Sequence, residues 1–241
     1  MKLTIITGDN GSGKSSVKDL LLSRRYLEII SHTNREPRPK EKEGKDYYFV
    51  NYAEFKIISF VEQIDFGNKK YGISLKEMMT KLKTKRDLVV IAEPNGVIQL
   101  LKWLTGMEDA IEDFIGEKLE VNLIHLIVPY EWRFFRILKE NLSTNKEQGV
   151  ALFDSIKRMG RDKDIDELMK RYISDQHYSK IFRTIDDSEK YSFTYLPIQQ
   201  SPFPTSSDDL EDVPMEVIEN LLVEKNIIKK KVIRNKKSNN S

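Results

Sequence analysis

Apolar residues along the 241-residue chain fall into short blocks of two alternating kinds. Leu3–Thr7, Leu88–Ala92 and Leu123–Val128 are nearly continuous apolar runs of strand length, rich in Ile, Val and Thr, as strands buried on both faces require. Between them the spacing changes. Ser15–Arg25 carries Val17, Leu20, Leu21 and Leu22 at helical intervals, and Ser74–Leu82, Val97–Leu104 and Glu108–Ile115 repeat that pattern. A late block, Tyr191–Ile198, predicts one more strand, and Val213–Val223 predicts a last amphipathic helix. Strands alternating with helices predict an α/β protein with a mainly parallel sheet and helices on both faces, a three-layer α/β/α core. No internal repeat is visible.

Two stretches break the alternation. Thr33–Phe55 is polar, turn-rich and aromatic, and Lys139–Asp166 is charged and irregular. Both read as inserts into one domain covering residues 1–228. The lysine-rich end of the chain, residues 229–241, reads as a solvated flexible tail in preference to a nucleic-acid-binding arm.

Composition narrows the function classes. Formal net charge is only +2, so no global basic field points to nucleic acid. There is no Cys, which excludes disulfides and thiolate metal sites, and three scattered His do not make a zinc site. No apolar run approaches the ~20 residues of a membrane span. Leu3–Thr7 is short and runs straight into glycines, unlike a signal peptide. The expectation is a soluble cytoplasmic protein with no membrane partner.

The glycines after the first strand carry the sharpest signal. "GDNGSGKSS", Gly8 to Ser16, fits G-x-x-x-x-G-K-[ST] and lies between a predicted strand and a predicted helix, the context that motif requires. Gly8, Gly11 and Gly13 let the backbone curl, so that the N–H groups of the loop, with Asn10 and Ser12, point at phosphate oxygens. The helix that follows adds its N-terminal partial charge. Lys14 reaches the β- and γ-phosphates, the Ser15 hydroxyl suits Mg²⁺, and Ser16 completes the cradle. These residues predict a handler of a nucleoside triphosphate and leave the acceptor open.

The polar insert supplies acceptor chemistry. "SHTNREPRPKEKEGKDYYFVNYAEF", Ser31 to Phe55, sets Arg35 and Arg38 three apart and Tyr47 and Tyr48 beyond a turn at Gly44. Two guanidinium forks and a phenol suit a dianionic phosphate. The same residues also make an ordinary charged surface loop, and only the glycine loop tips the balance.

This segment resembles the GMP-binding region of guanylate kinases, whose pattern reads approximately S-x-T-T-R-x-P-R-x-G-E-x-x-G-x-D-Y-x-F. Ser31, Thr33, Arg35, Pro37, Arg38, Glu41, Gly44, Asp46, Tyr47 and Phe49 match it, while Asn34 and Lys40 depart from it. The likeness continues through Phe60, Glu62 and the Tyr71-Gly72 pair, and covers residues 1 to about 100. The resemblance implies that Arg35, Arg38, Tyr47 and Tyr71 hold an acceptor phosphate and that Ser31 and Glu62 read the base. It implies that Glu93, in "IAEPNG", lies near Mg²⁺ and the acceptor, with Asn95 and Gly96 beside it. Ile91 stands where the family usually has another acidic residue. Ile73 stands where the family has a hydroxyl residue that helps read guanine. Either Ser74 takes that place after a small shift, or the base pocket is altered.

"GRDKDIDELMKRY", Gly160 to Tyr172, resembles the family's lid and offers Arg161 and Arg171, with Arg136 in "YEWRFFRIL" as a third arginine for the transferring phosphoryl group. Residues 139–159 are an insertion relative to the family pattern and have no role assigned. The resemblance thus implies a P-loop core (residues 1–30, 75–130 and 172–228), an NMP-binding insert (31–74) and a lid (131–171). It implies transfer from MgATP to GMP or dGMP by a monomer or homodimer. Two alternatives stand beside it: a deoxynucleoside monophosphate kinase of altered or broader base specificity, and a non-catalytic guanylate-kinase-like binding module.

Overall fold

The computed structural model describes residues 1–38, 41–66, 68–128, 133, 191–197, 215–224, 227 and 228. Its core is a five-stranded parallel sheet. The strands are β1 (Lys2–Gly8), β2 (Leu27–Glu28), β7 (Leu88–Ile91), β8 (Glu120–Ile127) and β9 (Tyr191–Pro197), in the order β2-β7-β1-β8-β9. Alternation along each strand divides the side chains between two apolar layers. Leu3, Ile5, Leu88, Val90, Val121 and Leu123 face one way, against α3 (Leu75–Leu82), α4 (Pro94–Gly106) and α5 (Glu108–Ile115). Ile6, Val89, Ile124 and Leu126 face the other way, against α1 (Lys14–Ser23) and the last described helix, α6 (Met215–Glu224). The predicted three-layer architecture is therefore present.

The C-terminal layer is tied down by polar contacts as well. Arg24, just beyond α1, is ion-paired with Glu219 on α6. The Tyr26 hydroxyl donates to the Ile227 carbonyl at 2.9 Å, and burial holds that phenol well above its usual range.

A second sheet stands beside the core. It contains β3 (His32–Thr33), β4 (Tyr48–Phe49), β5 (Phe60–Phe66) and β6 (Lys69–Ser74), in the order β4-β3-β6-β5, with α2 (Tyr52–Ile57) between β4 and β5. Apolar periodicity did not predict β5 and β6. The reason is local: β5 carries Glu62 and Asp65 among its apolar residues, and β6 opens with two lysines and contains Gly72. A Cβ at Gly72 would lie 2.7 Å from the Glu62 carbonyl and 2.8 Å from the Phe60 ring, so glycine is required where β5 bulges between Phe60 and Glu62.

Two side chains, buried Glu77 and part-exposed Gln99, join this sheet to the core. Glu77 on α3 accepts from the Ile30 N–H at 3.0 Å and from the Tyr48 hydroxyl at 3.2 Å. Gln99 on α4 pairs with the backbone of Gln63 on the edge strand β5. Its Oε1 accepts from the Gln63 N–H at 3.0 Å and its Nε2 donates to the Gln63 carbonyl at 2.8 Å. The chain thus returns from β7 to β8 on the other side of β1, leaving a crevice at the C-terminal ends of these strands.

Candidate active site

The glycine loop occupies that crevice. Gly8 ends β1 at φ +143, and a Cβ there would meet the Leu126 carbonyl of β8 at 2.6 Å, so only glycine lets the chain leave the sheet at this angle. Gly11 and Gly13 also have positive φ, and Gly13 is the N-cap of α1. The Lys14 ammonium donates to the carbonyls of Gly8 at 2.6 Å and Asp9 at 2.8 Å, which sets it across the mouth of the loop. Ser12 is buried, whereas Ser15 and Ser16 are exposed in the first turn of α1.

Beside the loop lies a cavity of about 170 Å³, lined by Asn10, Ser31, Arg38, Tyr47, Glu62, Ile64, Tyr71, Ile91, Ala92 and Glu93. Seven of the residues expected from sequence converge there from five places: the loop, the residue before β3, the β3–β4 connection, the β5–β6 hairpin and the end of β7. Tyr47 and Tyr71 meet edge-on with ring centroids 5.9 Å apart. Burial raises the Tyr47 hydroxyl above its usual range, with Tyr71 adding to that. Arg35 stands behind this pair and does not line the cavity. Its guanidinium lies over the Tyr47 ring at 5.5 Å and donates to Glu41 at 2.9 Å. Burial alone would raise the Glu41 carboxyl, but Arg35 and the Arg38 N–H, which donates to it at 2.7 Å, hold it below its usual range.

Glu62 is the unusual group of the site. It is only 4% exposed. Burial pushes its carboxyl up to about 7; the Ile73 N–H, donating at 3.1 Å, pulls it down, and Glu93 pushes it up further. Its carboxylate lies against the first turn of α4, where the helix dipole favours an anion. A Cβ built at Gly96 would be 2.4 Å from Glu62 Oε1 and 3.0 Å from its Cδ, so the missing side chain of Gly96 is the berth of Glu62. Gly96→Ala should displace the carboxylate and cost about 1–3 kcal/mol as overpacking. The measurement is the midpoint of thermal or urea unfolding, and an unchanged midpoint would contradict the berth.

Two more of the residues expected on the acceptor side, Ser74 and Asn95, lie elsewhere. Ser74 caps α3, its hydroxyl accepting from the Glu77 N–H at 3.1 Å, and does not line the cavity. Ile73 is fully buried in the core. Asn95 lines a neighbouring cleft of about 390 Å³ with Gln63, Ile64, Asp65, Ile98, Gln99 and Lys102. Arg136, Arg161, Arg171, the insertion at 139–159 and the tail at 229–241 lie outside the described residues.

The structure adds residues that sequence reasoning passed over. Ile64 and Ala92 give the cavity an apolar wall together with Ile91. Arg133 pairs with Asp9 at 2.8 Å. No spacing rule singles out Arg133 from the other arginine in the same stretch.

The oxygen donors fit a hard cation that arrives with its nucleotide. Among the described residues no group of three or more His, Cys, Asp or Glu could hold a metal by itself. The Ser15 hydroxyl and the Glu93 carboxylate instead match Mg²⁺ bound by one or two protein oxygens plus substrate phosphates. Among the described residues no helix is long and apolar enough to cross a membrane.

Comparison with known proteins agrees with this layout. A family model described as Guanylate kinase matches residues 1–107. The guanylate kinase of Mycoplasma mobile is 32% identical over 138 residues, covering 52% of this chain and 69% of that protein. That of Wigglesworthia glossinidia brevipalpis is 30% identical over 163 residues, covering 61% and 77%. That of Malacoplasma penetrans is 31% identical over 121 residues, covering 47% of this chain and 61% of the relative. The chain thus spans about three fifths of the length of several curated relatives it matches.

Proposed function

The chain belongs to the guanylate kinase family, and from that premise we propose that it transfers the γ-phosphoryl group of MgATP to the phosphate of GMP or dGMP. One observation carries the reading: Asn10 of the phosphate loop shares a single cavity with the carboxylate of Glu62 and with Arg38, Tyr47 and Tyr71. A donor cradle, a base reader and a phosphate clamp then lie within reach of one small acceptor. In this reading the GMP phosphate takes donors from Arg38, Tyr47 and Tyr71. Arg35 joins them by exchanging Glu41 for the ligand. Guanine faces Glu62 and Ser31. Lys14 exchanges the loop carbonyls for the β- and γ-phosphates of ATP, while Ser15, with Glu93 through water, would hold Mg²⁺. When bound, Mg²⁺ supplies charge neutralisation on the phosphates. No covalent intermediate is needed, because catalysis is positioning plus electrostatics. Arg136, Arg161 and Arg171 are assigned to a lid over the transferring group, within a single domain of residues 1–228. A monomer or homodimer working in the cytoplasm completes the proposal.

The direct test is a coupled ADP-formation assay with each common NMP and dNMP. Turnover confined to GMP and dGMP supports the proposal, and its absence with both rejects it. A second enzymatic reading, a deoxynucleoside monophosphate kinase of broader base preference, draws on Ile73 being locked in the core and on the apolar wall of Ile64, Ile91 and Ala92. The same assay separates it. The complete loop of Gly8, Gly13, Lys14 and Ser15 argues against a purely non-catalytic binding module.

Arg35→Ala and Arg38→Ala should each raise the KM for the monophosphate far more than the KM for ATP. Each removes a charge-assisted contact worth ~1.5–3 kcal/mol, roughly 10- to 150-fold. Equal effects on both substrates would remove these arginines from the acceptor side.

A further inference from the structure

Asp9 is out of place in a polyanion cradle. It is the second residue of the phosphate loop, only 5% exposed, and it carries a negative charge where phosphates are to bind. The molecule answers it with Arg133, likewise 5% exposed, whose guanidinium touches Asp9 Oδ2 at 2.8 Å. The same side chain is fixed at its other edge. Nε donates to the Val128 carbonyl just past β8 at 3.1 Å, and a terminal nitrogen reaches the Asn10 carbonyl at 3.5 Å. One planar fork therefore spans the end of β8, the Asp9 carboxylate and the loop backbone. A guanidinium suits this place because it stays charged when buried and presents its donors in a rigid plane.

We infer that Arg133 is a positioning residue of the nucleotide site: by pairing with Asp9 it cancels a charge that would otherwise repel the triphosphate and hold back Lys14. Lys14 donates to the backbone carbonyl of that same residue, so its ammonium lies in the field of the Asp9 carboxylate, and that charge, uncompensated, would compete with the phosphates for it. With Arg133 present, the Asp9 charge is matched locally and the Lys14 charge is left for the ligand. The inference rests on reading the loop as an ATP site.

Opposite signs in two variants test it. AMP-PNP with Mg²⁺ is titrated calorimetrically into the full chain, with GMP titrated in parallel. Arg133→Met exposes the ligand to Asp9 and should weaken AMP-PNP about 10- to 100-fold, with GMP changed by about twofold at most. Asp9→Asn keeps the shape and leaves the Arg133 charge uncompensated, so it should tighten AMP-PNP by about threefold or more. The double variant should return to within about threefold of wild type. If the pair only shaped the loop, both single variants would bind more weakly and the double variant would not recover; either result overturns the inference. Should Arg133→Met fail to fold, Asp9→Asn and the double variant still decide, because their expected signs differ from those of a shape defect. Wild type that binds AMP-PNP but phosphorylates no nucleotide rejects the proposed function and leaves this comparison valid. Wild type that does not bind AMP-PNP rejects both.

Discussion

Glu62→Ala should erase most of the wild type's preference for GMP over AMP, which should reach roughly 10- to 150-fold above pH about 7, where the ionised carboxyl holds guanine by a charge-assisted contact worth ~1.5–3 kcal/mol. Guanine presents adjacent N1–H and N2–H₂ donors, and a carboxylate offers two acceptor oxygens at matching spacing. Adenine in the same pose would set a lone pair against the ionised carboxylate, and avoids that clash only when the carboxyl is protonated. The cavity sharpens this, because burial pushes the Glu62 carboxyl up to about 7. Guanine needs the ionised form, so GMP affinity should rise with pH through about 7 and level off above it. The protonated carboxyl can donate to adenine N1, so the preference should narrow as pH falls. Titration of both nucleotides roughly one unit either side of that value measures the trend. Comparable GMP and AMP affinity in the wild type would reject the guanine assignment. Stability has the opposite slope. The folded carboxyl lies above its ordinary 4.5, so its favourable contribution is complete below 4.5 and is lost as pH rises through about 7. Glu62→Gln should therefore raise the melting temperature at alkaline pH and have little effect in acid.

Lys14→Ala should lower kcat by at least about 10²–10³-fold while leaving the fold in place. The ammonium is the cation that the phosphate loop itself holds at its mouth, 2.6 Å from the Gly8 carbonyl and 2.8 Å from that of Asp9. Those carbonyls can turn to water when it is gone, and α1 stays anchored through Val17 and Leu21, both fully buried. The phosphoryl group would then transfer without its nearest protein charge. Steady-state kinetics at saturating ATP and GMP, with circular dichroism as the control for folding, check this. Near-normal turnover would mean that the loop is not the catalytic cradle.

The core was legible because its strands are buried on both faces and its helices keep a clean apolar stripe. The α5 helix runs over Glu108–Ile115, as its periodicity predicts. The neighbouring α4 starts at Pro94, ahead of the first periodic residue Val97, since proline suits a first turn but adds no stripe. The acceptor-side sheet was not legible from periodicity. Its strands turn Glu62 and Tyr71 toward a ligand cavity, so polar residues stand where a core strand would be apolar. Motif spacing recovered those residues individually. Arg133 escaped both routes, because its partner Asp9 lies 124 positions earlier and only the fold brings them together. Ser74, one of two alternatives for the base-reading hydroxyl, caps α3, and a cap of that kind leaves no mark on apolar periodicity.

The crowding between Glu62 and Gly96 also sets an order in which the chain can change. While the glutamate keeps its full length, any side chain at position 96 must push the carboxylate aside, since the first carbon added would overlap Oε1. Shortening the glutamate to aspartate withdraws the carboxylate by one methylene and opens the space. In a selection experiment, Gly96→Ala should be better tolerated in lineages that already carry Glu62→Asp. Both orders move the carboxylate, but the reverse one also overpacks the pocket, so positions 62 and 96 change as a coupled pair.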